Sequence, residues 1–195
     1  MITIDGSFGE GGGQIIRTSC ALSLITGKPF RIYNVRARRD KPGLQRQHLT
    51  AVNSAAQIGS AQVDGAGVGS TEFTFRPGHV VPGDYTFSIG TAGSTTLVLQ
   101  TVLPPLMIAT APSRITLEGG THNVHAPPFE FLQKTFLPLV NQTGMCVSLE
   151  LERYGFYPPG GGRSAFRAGE IGWAARRSLR TGLAAWAWLR DEVCA

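Results

Sequence analysis

The run GEGGGQIIR, Gly9 to Arg17, sets one carboxylate, Glu10, inside a glycine turn and one cation, Arg17, two helical turns further on. It follows a short apolar run and opens onto an apolar segment that reads as a helix. A strand, a glycine turn and a helix make a common phosphate cradle, because backbone N–H groups and the helix dipole favour anions there. Two familiar nucleotide loops are excluded by spacing. After Gly11 a Walker A loop requires lysine and a hydroxyl, where this chain has Gly12 and Gly13. The dinucleotide fingerprint requires glycine at Gln14 or Ile16. Taken alone, the stretch also reads as a tight turn with a surface acid.

A second cluster of chemistry-bearing residues is RARRDKPGLQRQH, Arg36 to His48, with Arg36, Arg38, Arg39, Lys41 and Arg46 against the single Asp40. Guanidinium forks match phosphate bidentately, so the loop reads as an anion clamp, with a solvated loop face as the alternative. It holds no aromatic residue for base stacking, which favours recognition of backbone or end groups.

The elements that position these groups repeat. Ile2–Asp5 reads as a strand, Gly13–Thr26 as a helix, Phe30–Val35 as a strand and His48–Ile58 as a helix. Short strands follow near Ala61–Val63 and Glu72–Phe75. The order then recurs: strand Tyr85–Ile89, helix Ser94–Ala109 with a proline pair inside, strand Arg114–Leu117, helix Phe129–Asn141 and strand Cys146–Glu152. PFRI from Pro29 matches PSRI from Pro112 at an offset of 83, and the same offset carries Arg17 onto Gln100. Two polar residues at equivalent places in two apolar helices point to a shared site. The expected architecture is α/β, built of repeated β-α-β-α-β-β units over residues 1–80 and 81–162. Residues 163–195 form an atypical tail rich in arginine and tryptophan.

With 195 residues and 42% hydrophobic content the chain supports a sizeable core. No apolar stretch is long enough to span a membrane, and no signal peptide is evident. Cys20, Cys146 and Cys194 are isolated and lack metal-ligand spacing, which fits a reducing, cytoplasmic setting.

Together, DGSFGEGGGQIIR, RARRDKPGLQRQHLTAV, GTAGSTTLVLQTVLPPL, APPFEF and YGFYPPGGG resemble the RNA 3′-terminal phosphate cyclases, in family order from Ile2 to Gly162. The resemblance implies repeated β-α-β-α-β-β units like those of the C-terminal domain of translation initiation factor three. It also implies an ATP-dependent ligase that converts an RNA 3′-phosphate into a 2′,3′-cyclic phosphate through adenylylated intermediates. ATP adenylates an enzyme histidine, AMP passes to the RNA 3′-phosphate, and the vicinal 2′-hydroxyl displaces it. Carried over by position, Glu10 is the acid that helps hold a divalent metal, Mg or Mn. Arg17, Gln100, Pro127 and Phe131 contact ATP, with the last two lining the adenine pocket. Arg36, Arg39 and Gln47 contact phosphates of ATP and the RNA end.

The resemblance places the nucleophilic histidine near the family's C-terminus, in a region this chain does not have. None of His48, His79, His122 and His125 falls at that position, so the chain is expected to be a truncated member, inactive alone. After Gly162 the family expects a strand, whereas RSAFRAGEIGWAARRSL alternates poorly. A reading-frame change near Arg163 is preferred over a basic amphipathic helix presenting Arg176, Arg177 and Arg180 opposite Leu179, Leu183 and Trp186. Two further readings differ in class: a non-catalytic cyclase-like RNA-binding protein of RNA processing, and an enolpyruvyl transferase built on the same repeat. RNA 3′-phosphate ends are the expected partner, with no membrane.

Overall fold

A computed structural model of the chain describes residues 1–169, so the tail readings from residue 170 onward lie outside the described residues. The first unit runs β1 (Ile2–Asp5), α1 (Gly13–Thr26), β2 (Phe30–Tyr33), α2 (Arg46–Ile58), β3 (Gln62–Asp64) and β4 (Phe73–Arg76). The second runs β5 (Asp84–Ser88), α3 (Thr95–Met107), β6 (Ser113–Gly119), a helical segment α4, β7 (Val147–Arg153) and β8 (Gly162–Ala168). The α4 segment joins a turn at Phe129–Phe131, a π-helical stretch at Leu132–Phe136 and a last α-helical piece at Leu137–Gln142.

The two sheets share one topology. Strand order is β1-β2-β4-β3 in the first and β5-β6-β8-β7 in the second. The β1–β2 and β5–β6 pairs are parallel, and the remaining pairs are antiparallel. Parallel neighbours need a crossover, and the apolar helices α1 and α3 supply it. Local chemistry fixes the helix ends. Gly27, at φ 69°, takes the left-handed position that closes α1 and donates its N–H to Ser23 O at 2.9 Å. Ser94 opens α3 by accepting from the Leu97 N–H.

The helices of each unit cover their own sheet and pack on one another, α1 and α2 against α3. One continuous core results. It takes Ile16 and Cys20 from α1, Val98 and Leu106 from α3, Phe30 and Phe75 from the first sheet, and Ile115 and Phe166 from the second. The same packing brings the N-terminal halves of α1 and α3 side by side.

One sequence expectation is corrected. The stretch after Gly162 is a strand, β8, seated centrally between β6 and β7. Ser164, Ala165, Phe166 and Ala168 are all buried. The inward positions, Ser164, Phe166 and Ala168, are mostly small or polar, and the outward Arg163 and Arg167 enclose the buried Ala165, so hydropathy alternates too weakly for periodicity to reveal the strand.

Candidate functional site

The site begins at the glycine turn. Gly9 and Gly11 hold φ values of 60° and 59°, conformations that side-chain-bearing residues rarely adopt. They turn the chain so that Gly12 opens α1 with no side-chain cap, leaving the first-turn N–H groups without a side-chain partner. Gly13 is enclosed: a methyl group there would lie 2.4 Å from His48 Nε2 and 2.9 Å from Arg17 Nη1.

Arg17 is buried, 6% exposed. Its Nε donates to Gln100 Oε1 at 2.9 Å and its Nη2 to Gln14 Oε1 at 3.2 Å. The first of these joins the two positions that the internal repeat relates, and brings them together at the α1–α3 seam. Burial lowers the Arg17 pKa to about 10, and neutral amides do little to restore it. Beside this cation opens a cleft of about 430 Å³, lined by Leu97, Gln100, Leu103, Met107, Pro127 and Phe131 among others. That volume lies in the range of small-ligand pockets, roughly 300–1,000 Å³. The Thr96 hydroxyl, donating to Pro127 O at 2.9 Å, fixes the far wall. All four residues carried over as ATP contacts, Arg17, Gln100, Pro127 and Phe131, line this one cleft.

The basic loop lies against the glycine turn. Arg39 Nη2 donates to Glu10 Oε1 at 2.6 Å and to Glu10 O at 3.1 Å. Arg36, in the left-handed region at φ 55°, turns its guanidinium onto the Lys41 and Gly43 carbonyls and so closes its own loop. Gln47 Oε1 accepts from the Ser94 N–H at 2.8 Å, tying the loop to the start of α3. The structure therefore brings Glu10 and Arg39 together and Arg17 and Gln100 together, while Arg36 and Gln47 spend their side chains on loop and inter-unit bonds.

His48 joins these pairs, a role that the sequence reading left without assignment. Its Nδ1 accepts from the Gln45 N–H at 3.1 Å, so the neutral ring carries its proton on Nε2, toward Gly13 and Arg17. Burial first, then Arg36 and Arg17, lower its pKa to about 4. The imidazole is neutral near pH 7 and presents an N–H donor. The signal available in the sequence was spacing: His48 stands three residues after Gln45, the arrangement of a helix-capping box.

Among the described residues no group of three or more His, Cys, Asp or Glu could hold an ion. Glu10 is the carboxylate nearest the cradle, its side chain is 86% exposed, and Arg39 occupies it. It fits a hard cation only as one ligand among phosphate and water oxygens, the usual manner for Mg²⁺.

A duplicated β-α-β-α-β-β scaffold with a cationic groove at its seam defines the class of protein. Residues 8–179 match the family model described as RNA 3′-terminal phosphate cyclase, and the chain belongs to that family. The match runs past Gly162 and beyond the described residues. Curated relatives bear the same name. The one from Koribacter versatilis (strain Ellin345) is 60% identical over 163 residues, covering 84% of this chain and 46% of the relative. That from Ectopseudomonas mendocina (strain ymp) is 56% identical over 162 residues, 83% of this chain and 47% of the relative. That from Ralstonia nicotianae (strain ATCC BAA-1114 / GMI1000) is 57% identical over 161 residues, 83% and 46% respectively. The chain spans about half the length of these relatives.

Proposed function

We propose that this chain carries the nucleotide-binding and RNA-end-binding part of an ATP-dependent RNA 3′-terminal phosphate cyclase. One observation carries the reading: Arg17, a buried cation that has no carboxylate partner among the described residues, stands where the glycine turn meets an apolar cleft. Such a cation is suited to a phosphate that arrives with the ligand. In this reading the cleft takes the adenine, with Pro127 and Phe131 as walls and Gln100 as a polar contact. Arg17, the His48 Nε2–H and the N–H groups of Gly12 and Gly13 face the phosphates. Glu10 would be the residue that helps hold a divalent metal, and Arg39, which lies against it, would face a second phosphate, that of the RNA end.

Arg36 and Gln47 act through shape: one holds the basic loop closed, the other fixes it against α3. ATP would supply the activating adenylyl group and the metal would neutralise phosphate charge; the residues here bind, orient and exclude water. Two of the described histidines have ring nitrogens committed to other roles. His48 presents a protonated Nε2 to the groove, and the His122 ring nitrogens are held by Thr121 and Glu130. The chain is then a binding half without adenylylating activity of its own. No helix among the described residues is long and apolar enough to cross a membrane. A cytosolic setting is part of the proposal, in keeping with the buried thiol of Cys20.

The test compares two labelled RNA oligonucleotides that differ only in a 3′-phosphate or 3′-hydroxyl, by fluorescence anisotropy between roughly 50 and 300 mM salt. Preferential, salt-dependent binding of the phosphate form is expected, because each phosphate contact releases counterions. Equal affinity for both ends, or affinity independent of salt, would refute the reading.

A further inference from the structure

We infer that Tyr154 and Phe156, held in place by His122, form a stacking platform for the nucleobases at the RNA 3′ end; this rests on the reading of the groove as an RNA-end site. The two residues flank Gly155 just after β7. Their rings lie parallel within 2°, centroids 5.9 Å apart. His122 leans on both, at 5.5 and 5.3 Å. Its own ring is fixed from either side, Nδ1 against Thr121 Oγ1 at 2.8 Å and Nε2 against Glu130 Oε2 at 2.7 Å. This bond to His122 is the main reason the Glu130 carboxyl is held below the usual carboxylate range.

The backbone beneath is equally constrained. The Gly155 N–H donates to Thr121 Oγ1 at 3.0 Å, Gly155 O accepts from the Thr121 N–H at 2.9 Å, and a Cβ on Gly155 would meet Gly119 O at 2.3 Å. Yet the rings so carefully fixed remain open to water: Tyr154 is 58% exposed, Phe156 54% and neighbouring Tyr157 83%. Preset aromatic faces left in solvent contribute little to the core. They have already lost the rotamer freedom that a stacking ligand would otherwise have to remove.

Their position selects the occupant. Gly160, bridged to Phe156, backs onto Ala92, and Asn123 Nδ2 donates to Ala92 O at 2.6 Å. Two residues on, the Ser94 N–H is bonded to Gln47 of the basic loop. The platform is thus joined through one short loop to the arginine-bearing wall, which has no aromatic side chain between Arg36 and His48. Phosphate recognition falls to the first unit and base stacking to the second. Every base has a π-face, so such a platform accepts any terminal sequence.

The test uses the whole 195-residue chain and RNA oligonucleotides ending in a 3′-phosphate, either intact or with abasic riboses in the last positions. Tyr154→Leu with Phe156→Leu keeps apolar bulk and removes the π-faces. We expect abasic ends to weaken wild-type binding roughly 5- to 150-fold, the range for loss of one stacked base. The double variant should bind intact RNA correspondingly weakly, lose nothing further on abasic RNA, and keep its melting temperature. Tyr154→Phe should bind like the wild type. If the double variant fails to fold, the abasic series on wild type decides alone. Equal affinity for intact and abasic RNA, with preference for the 3′-phosphate retained, overturns the platform and leaves the RNA-end reading standing. Absence of that preference in the wild type overturns both.

Discussion

Replacing Arg17 by methionine should make the chain more stable and a poorer ligand binder. The side chain is buried, and among the described residues no carboxylate forms an ion pair with it. Burial moves its pKa down from the ordinary guanidinium value, by more than two units, to about 10. At about 1.4 kcal/mol per pK unit, the charge costs about 3 kcal/mol in the folded state. A depressed value on a base means that this destabilisation is fully present below about pH 10 and vanishes as pH climbs toward the ordinary guanidinium value. Arg17→Met keeps length and apolar bulk, so little cavity forms. It loses two hydrogen bonds to neutral amides, each worth about 0.5–1.5 kcal/mol net, and both glutamines are exposed enough to turn to water. The balance favours the variant by up to about 2 kcal/mol, a rise in Tm of up to about 8 °C for a chain of this size. Against that, a charged hydrogen bond to phosphate is worth about 1.5–3 kcal/mol, so ATP affinity should fall roughly 10- to 150-fold. Calorimetric melting and an ATP titration on the same samples measure both. A Tm several degrees lower, with ATP affinity unchanged, would show that Arg17 is a strut and that the argument is wrong.

Other expectations concern the same groove. His48 has a folded pKa of about 4 against an ordinary 6.5, so the unfolded chain takes up the proton first. The stability this contributes is complete above pH 6.5 and is lost as pH falls toward 4; urea melts at pH 7 and pH 5 should differ by about 2 kcal/mol, and His48→Gln should remove that difference. Gly13→Ala improves helix propensity but drives a methyl into His48 and Arg17; melting should change little while phosphate binding weakens, and unaltered binding would show that the enclosure is irrelevant. Gly43 sits at φ 76° with Gly69 O 2.2 Å from where its Cβ would be. Gly43→Ala should destabilise the chain by more than about 1 kcal/mol and loosen the basic loop, read as raised protease cleavage within it. Incubation with α-labelled ATP and divalent metal should leave the protein unlabelled on a denaturing gel; acid-labile label would establish a nucleophile within these residues.

Much of this architecture was legible because each unit is locally consistent. The apolar periodicity of Gly13–Thr26 predicts the helix with the ends it has, and Gly27 marks its stop. The repeat offset was more informative than any single motif, since it paired Arg17 with Gln100 before any geometry was known. What stayed hidden depends on who faces whom. Strand β8 turns Ser164, Phe166 and Ala168 inward and Arg163 and Arg167 outward, but with small or polar residues on the inner face its hydropathy hardly alternates. Arg36 and Gln47 were carried over as phosphate contacts from the family resemblance, and a motif match does not say which neighbours their side chains bond, here the Lys41 and Gly43 carbonyls and the Ser94 N–H. The His122–Tyr154–Phe156 group joins residues 32 apart or more through ring contacts that only the strand connections reveal.

The bond between Arg17 and Gln100 also bears on why the two units share one chain. Residues at matching positions of two related bodies touch only close to the axis that interchanges those bodies. Were the units identical and merely associated, that position would have to match itself. Arginine would confront arginine, two donors with like charge and no acceptor, and glutamine facing glutamine would bring no charge for an anion. Fusion into one polypeptide lifts this requirement, because each copy of the position is encoded separately. One side can become the donor and the other the acceptor, with the charge on the first side alone. The groove thereby acquires a polarity that no symmetric pair could provide: a cationic wall on the α1 side and an apolar recess on the α3 side, so that an elongated, unlike-ended ligand has only one way to lie.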